Sequence, residues 1–128
     1  MKIIGQGIDL IECARVREVY DRHEDRFIDR LLTPAEQKYV RRFRNDIVPR
    51  MAGRFAAKEA ILKVLGTGWR GKIAWCDMEI LNEDSGRPLV KLTGECKRVA
   101  DELGITDILV SITHTENYGA ATAIGVGE

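Results

Sequence analysis

One stretch constrains the fold more than any other: Gly53 to Gly68, GRFAAKEAILKVLGTG. Pro49 interrupts and restarts the chain just before it, and Gly66 is a natural left-handed stop. Between them the spacing predicts one long helix, which needs an apolar partner surface to be stable. Four charged residues, Arg54, Lys58, Glu59 and Lys63, are set among its apolar positions. Ala52, Ala56, Glu59 and Lys63 share a face through steps of three and four, and the small alanines leave space beside the two charges. On spacing alone, Glu59 and Lys63 read as an ordinary surface pair contributing roughly 0.2–0.5 kcal/mol.

The rest of the chain supplies that partner surface. Residues Lys2 to Leu10, KIIGQGIDL, predict a strand with Ile4, Gln6, Ile8 and Leu10 on one face and Ile3, Gly5, Gly7 and Asp9 on the other. Gly5 and Gly7 would let another backbone or a ligand approach closely beside Asp9. A charged amphipathic helix is expected from Glu12 to about His23, with Val16, Val19 and Tyr20 at helical spacing. Thr33, Pro34 and Glu36 form a helix start with a capping box. Residues Ile73 to Leu81 predict a strand, NEDSGRP a turn, and LVKL a second strand. Thr93 to Leu103 predicts a helix with Cys96, Val99, Ala100 and Leu103 inward, and DILVSITHT with YGAATAIGV a hairpin turning at Glu116-Asn117. Helices mixed with antiparallel strands define an α+β class, and the length suits a single domain over residues 1–128.

Composition excludes several function classes. Twenty basic and twenty acidic residues give zero formal net charge, so the whole-chain field favours neither nucleic acid nor a membrane surface. No apolar run has the length of a membrane span, and the N-terminus is too short and too quickly charged for a secretory signal. The three cysteines, Cys13, Cys76 and Cys96, lack CxxC spacing. Reduced thiols in a cytoplasmic protein are expected, not a disulfide framework or a zinc site.

Four features carry candidate chemistry. Asp9 at a strand end either caps the following helix or, together with Glu59, makes a two-carboxylate site for a hard cation such as Mg²⁺. His114 in VSITHT is either a satisfied packing residue or a donor to a phosphate or hydroxyl. Arginines 15, 17, 22, 26 and 30 interleave with acidic residues, the pattern of a solvated mixed-charge surface that can also engage an acidic protein. Gly66-Thr67-Gly68 lacks P-loop spacing; it stops the helix, and it also leaves room for a phosphate or an adenine beside the backbone.

GIDLIECARV, GRFAAKEAILKVLGTG and VSITHT stand in one order along the chain, with SGRP before LVKL. In that combination the sequence resembles the bacterial holo-acyl-carrier-protein synthases, the short 4′-phosphopantetheinyl transferases, over essentially its whole length. The resemblance implies an α+β 4′-phosphopantetheinyl transferase-like fold, with an antiparallel sheet packed against helices that include one long central helix. It also implies a homotrimer with active sites between protomers. The implied reaction is Mg²⁺-dependent transfer of the phosphopantetheine arm of coenzyme A to a serine hydroxyl of apo-acyl carrier protein. Adenosine 3′,5′-bisphosphate leaves, and the product serves fatty acid biosynthesis.

By motif match, Asp9 and Glu59 would be the metal carboxylates and Lys63 would sit near the pyrophosphate. His114, Arg54 and Gly66-Thr67-Gly68 would belong to the coenzyme A cleft, and Arg15 and Arg26 would dock the carrier protein. The residues leave open whether Glu59, a water or the phosphate itself takes the serine proton. Two other classes stay in view. A Mg²⁺-dependent pyrophosphate hydrolase would need no protein partner, which sits poorly with the arginine-rich first helix. A non-catalytic coenzyme A or carrier-protein binding module would not need Asp9 and Glu59, and both are present.

Overall fold

The computed structural model describes residues 1–66 and 73–128. In chain order the elements are β1 (Lys2–Glu12), α1 (Cys13–Leu31), α2 (Pro34–Val40), α3 (Ile47–Leu65), β2 (Met78–Asn82), β3 (Pro88–Leu92), α4 (Gly94–Leu103), β4 (Asp107–His114) and β5 (Tyr118–Gly127). An antiparallel sheet of order β1-β5-β4 carries α3 across one face, and β2 and β3 form a separate antiparallel hairpin. The α+β class expected from the sequence is the class observed. No helix among the described residues is long and apolar enough to cross a membrane.

Small residues set how close α3 comes to the sheet. Ala52, Ala56, Ala57 and Ala60 are fully buried. A Cβ on Gly7 would lie 2.2 Å from the Ala60 carbonyl oxygen, and one on Gly119 would lie 2.5 Å from the backbone of Ala52 and Gly53. Helix and sheet therefore meet backbone to backbone. The alanines do not hold space open beside Glu59 and Lys63; they are consumed by this contact. After a bulge between Ile3 and Gly5, Gly5, Gly7 and Asp9 face the helix, while Gln6, Ile8 and Leu10 point away from it. The more apolar face of β1 is thus the outer one, with Ile8 67% and Leu10 63% exposed.

Four local expectations need correction: Leu103, expected inward on α4, is exposed at the last turn of that helix, and three others concern where elements begin, break or end. The first helix does not stop near His23 but continues to Leu31, through a break at Glu24 (φ 35°, ψ −109°), because its second half buries Ile28 and Leu31. Pro49 does not interrupt the chain; it lies in the first turn of α3, where its missing N–H costs no helix bond. The segment from Ile73 becomes a strand only at Met78. Trp75–Asp77 form a 3₁₀ turn, in which the Asp77 carboxylate accepts from the Ala74 N–H at 3.2 Å and Trp75 packs on Phe55 at 4.9 Å between ring centroids.

The capping box at Thr33 is formed: the Thr33 hydroxyl accepts from the Glu36 N–H, and Glu36 Oε1 accepts from the Thr33 N–H at 2.9 Å. That carboxylate does more than cap. Lys58 Nζ donates to its Oε1 at 2.7 Å, and the Ile80 N–H donates to its Oε2 at 3.0 Å. Both side chains of this ion pair are 0% exposed. Burial pushes the Lys58 ammonium below the usual lysine range, and the Glu36 carboxylate pulls it back. Cys13 and Cys96 are buried and Cys76 partly so, all as free thiols. Burial pushes the Cys96 thiol up to about 12, so it is inert.

Candidate active site

Two clefts carry the residues singled out in the sequence, and α3 supplies both. Arg54 and Glu59 are five residues apart, which turns them about 140° around the helix axis. They consequently open onto different sides of the protomer.

The first cleft, of about 490 Å³, lies between the end of β1, the start of α1 and α3. Asp9, Glu59 and Arg15 line it together. Asp9 reaches it because β1 alternation turns the residue toward α3 beside Gly7, where no side chain intervenes. Lys63 Nζ donates to the Ile8 carbonyl oxygen at 2.7 Å and to Asp9 Oδ1 at 3.2 Å. Its side chain remains 53% exposed and that of Asp9 20% exposed, so the pair faces solvent and a ligand can replace its bonds.

The donor set can be tested against a metal. Two carboxylates in one cleft are hard oxygen donors, and no group of three His, Cys, Asp or Glu side chains close enough to cage an ion exists among the described residues. This suits Mg²⁺, which takes one or two carboxylates and fills its other positions with water and phosphate oxygens. It does not suit zinc, nor calcium in an all-protein cage.

The second cleft, of about 290 Å³, lies between α3, the β2–β3 turn and the end of β4. Arg50, Arg54, Tyr39, Asn82 and His114 are among its walls. Arg54 is only 5% exposed. Its Nη2 donates to Asn82 Oδ1 at 2.5 Å, and its guanidinium stands 4.8 Å from the Tyr39 ring centroid. The buried Arg54 Nε–H has no hydrogen-bond partner among the described residues, and no carboxylate there forms an ion pair with the side chain. Burial pulls this guanidinium below its ordinary range, although an arginine stays protonated. Arg50 stacks 3.6 Å from the Phe43 ring centroid and pairs with Asp46 at 3.5 Å. His114 Nε2 lies 3.2 Å from Asp46 Oδ2. Arg54, hydrogen-bonded to a neutral amide, stands in one cleft with Arg50 and His114, which share Asp46, and such a set can receive an anion.

The other candidates lie elsewhere. Gly66 ends α3 in the left-handed conformation at φ 74°, while Thr67 and Gly68 lie outside the described residues. Arg26 lines a third cleft, of about 800 Å³, along the outer side of α1. Val19 and Phe27 wall both this cleft and the Asp9 cleft, so the two are contiguous. Sequence reasoning missed Arg50, Asn82 and Tyr39. The one available signal was helical spacing, since Arg50 and Arg54 are four residues apart.

A family model described as the 4′-phosphopantetheinyl transferase superfamily matches residues 5–123. The chain belongs to that superfamily. Within it, the chain is 45% identical to the holo-[acyl-carrier-protein] synthase of Solibacter usitatus, over 95% of this chain and 97% of that protein. It is 43% identical to the enzyme of the same name from Koribacter versatilis, with the same coverage. Among solved structures, the holo-ACP-synthase of Plasmodium yoelii superposes with a TM-score of 0.86 at 33% identity, covering 99% of this chain and 97% of that one. The Helicobacter pylori holo-[acyl-carrier-protein] synthase in complex with coenzyme A superposes with a TM-score of 0.82 at 28% identity, covering 94% of this chain and 99% of that one. The family expected from the three motifs is the family found.

Proposed function

We propose that this protein is a holo-[acyl-carrier-protein] synthase. It transfers 4′-phosphopantetheine from coenzyme A to a serine hydroxyl of apo-acyl carrier protein and releases adenosine 3′,5′-bisphosphate. It does so in the cytoplasm, in support of fatty acid biosynthesis. The observation that carries the reading is the cleft in which Asp9, Glu59 and Arg15 meet, with Lys63 clasped to Asp9.

Asp9 and Glu59 would hold Mg²⁺, which when bound orients the pyrophosphate and offsets its growing charge. Lys63 exchanges Asp9 for a phosphate oxygen and adds a compact positive charge on the leaving side. Arg15, on the rim of the same cleft, and Arg26, along the contiguous one, face the acidic carrier protein and steer it to the site. Arg54 and His114 in the second cleft receive the anionic nucleotide end of coenzyme A, which the buried guanidinium charge favours. Gly66, which ends α3, would lie beside the nucleotide.

The two clefts share no lining residue. This separation supports a reading in which one coenzyme A molecule engages the Asp9 cleft of one copy and the Arg54 cleft of another, as in the homotrimer implied by the motifs. The outer face of the sheet, with Ile8 and Leu10 exposed beside Thr122 and Ala120 of β5, supplies a surface for that assembly.

The test is direct. The protein is incubated with Mg²⁺, coenzyme A and an apo-acyl carrier protein, and carrier mass is recorded. A gain of one phosphopantetheine group is expected, and a folded protein that adds no mass removes the reading. Light scattering is expected to give three copies per particle; a monomer that transfers at full rate would sink the shared-site arrangement.

A further inference from the structure

Lys58 is fully buried and lies one residue before Glu59, yet none of the chemistry above uses it. Its ammonium donates to the Leu31 carbonyl oxygen at 2.6 Å, to Glu36 Oε1 at 2.7 Å and to the Trp75 carbonyl oxygen at 3.3 Å. Leu31 is the last residue of α1, so the cation sits where the helix dipole and the unpaired terminal carbonyls favour it. Cys76 Sγ stands 3.7 Å from the carbonyl oxygens of Asp29 and Arg30 and holds the same helix end.

The other end of this half-helix is not held by helical continuity. Glu24 breaks α1 with a positive φ, so the direction of the residues that follow is set by their own tertiary contacts, the burial of Ile28 and Leu31 and the bonds at the C-terminal end. That half carries Arg26, Phe27 and Arg30, which wall the cleft contiguous with the one containing Glu59. A buried ion pair is a poor source of net stability, because desolvation offsets most of its attraction. It does supply a fixed orientation, since an apolar pair of the same volume would fill the space without bonding the last carbonyl of α1.

We propose that the buried Lys58–Glu36 pair is a positioning device, which fixes the second half of α1 relative to Glu59 and so sets the enzyme's affinity for the carrier protein. This rests on the transferase reading. Lys58 and Glu36 act through α1 and α3 and touch no substrate.

Lys58→Met, Glu36→Gln and the charge-free double variant are compared with the unaltered protein. Near-UV circular dichroism reports the fold, and steady-state transfer gives separate KM values for carrier protein and coenzyme A. In whichever variants keep the native spectrum, the KM for the carrier is expected to rise about tenfold, since misplacing a docking element by about 1 Å has effects of that order or larger. In the double variant, which removes together the Glu36 and Lys58 charges that act on Arg54, the KM for coenzyme A is expected to stay within about twofold, because among the described residues no hydrogen bond joins Arg54 or His114 to α1. Folded variants with an unchanged carrier KM, or with both KM values raised alike, overturn the positioning role. Failure of all three to fold makes the pair a folding requirement and removes the role as well. If the unaltered protein adds no mass to the carrier, it is the transferase reading that falls, before any variant is compared.

Discussion

Helix α3 carries two lysines that each bond a carboxylate on another element, and the two pairs behave as opposites. Lys58 meets Glu36 at 2.7 Å with both side chains at 0% exposure. Lys63 meets Asp9 at 3.2 Å with its side chain 53% exposed. Glu36 is also bonded by the Thr33 and Ile80 N–H groups, and Lys58 by two main-chain carbonyls, so neither charge can leave without orphaning several partners. Asp9 and Lys63 lie at the edge of an open cleft, where water or phosphate can take over. A lysine bonded to a carboxylate makes a fixed joint in one place and a displaceable contact in the other. Solvent access and the number of further bonds decide which.

This contrast sets an order of effects. Lys58→Met should lower unfolding free energy by about 3–5 kcal/mol, because it leaves Glu36 buried and uncompensated. Chemical denaturation measures this, and a loss under about 1 kcal/mol would erase the distinction between the pairs. Glu59→Gln should next reduce transfer at least about 100-fold, equivalent to roughly 2.7 kcal/mol of barrier, with a smaller loss of stability than Lys58→Met causes. Full activity in that variant would remove Glu59 from the metal site. Lys63→Met should slow transfer about tenfold, near 1.4 kcal/mol, while stability moves by less than about 1 kcal/mol. A stability loss matching that of Lys58→Met would show the Asp9 pair to be structural. Lys97→Ala removes an exposed i,i+4 pair with Asp101 and should change stability by no more than about 0.5 kcal/mol.

Much of the architecture is legible in local sequence. Thr33, Pro34 and Glu36 mark the start of α2, Gly66 marks the end of α3, and Gly5 and Gly7 mark a close backbone approach that Val64 and Ala60 provide. Local signals of this kind depend on neighbours in sequence, so periodicity and turn chemistry can report them. The break at Glu24 was not legible, because what carries α1 beyond it is burial of Ile28 and Leu31 against distant residues. Nor was the fate of the alanines, whose smallness reads equally as open space or as tight contact until the facing glycines are placed.

The sequence by itself determined the element types, the α+β class and, through three motifs in order, the family. The tertiary structure decided which charges are fixed and which are available. It buried Glu36, legible only as a cap, at the centre of a bonded network with Lys58. It also supplied the walls of the two clefts onto which Arg54 and Glu59, turned apart by helical spacing, open. Burial and long-range hydrogen bonding arise from residues far apart in the chain, and the periodicity of a single helix carries no record of what packs against each of its faces.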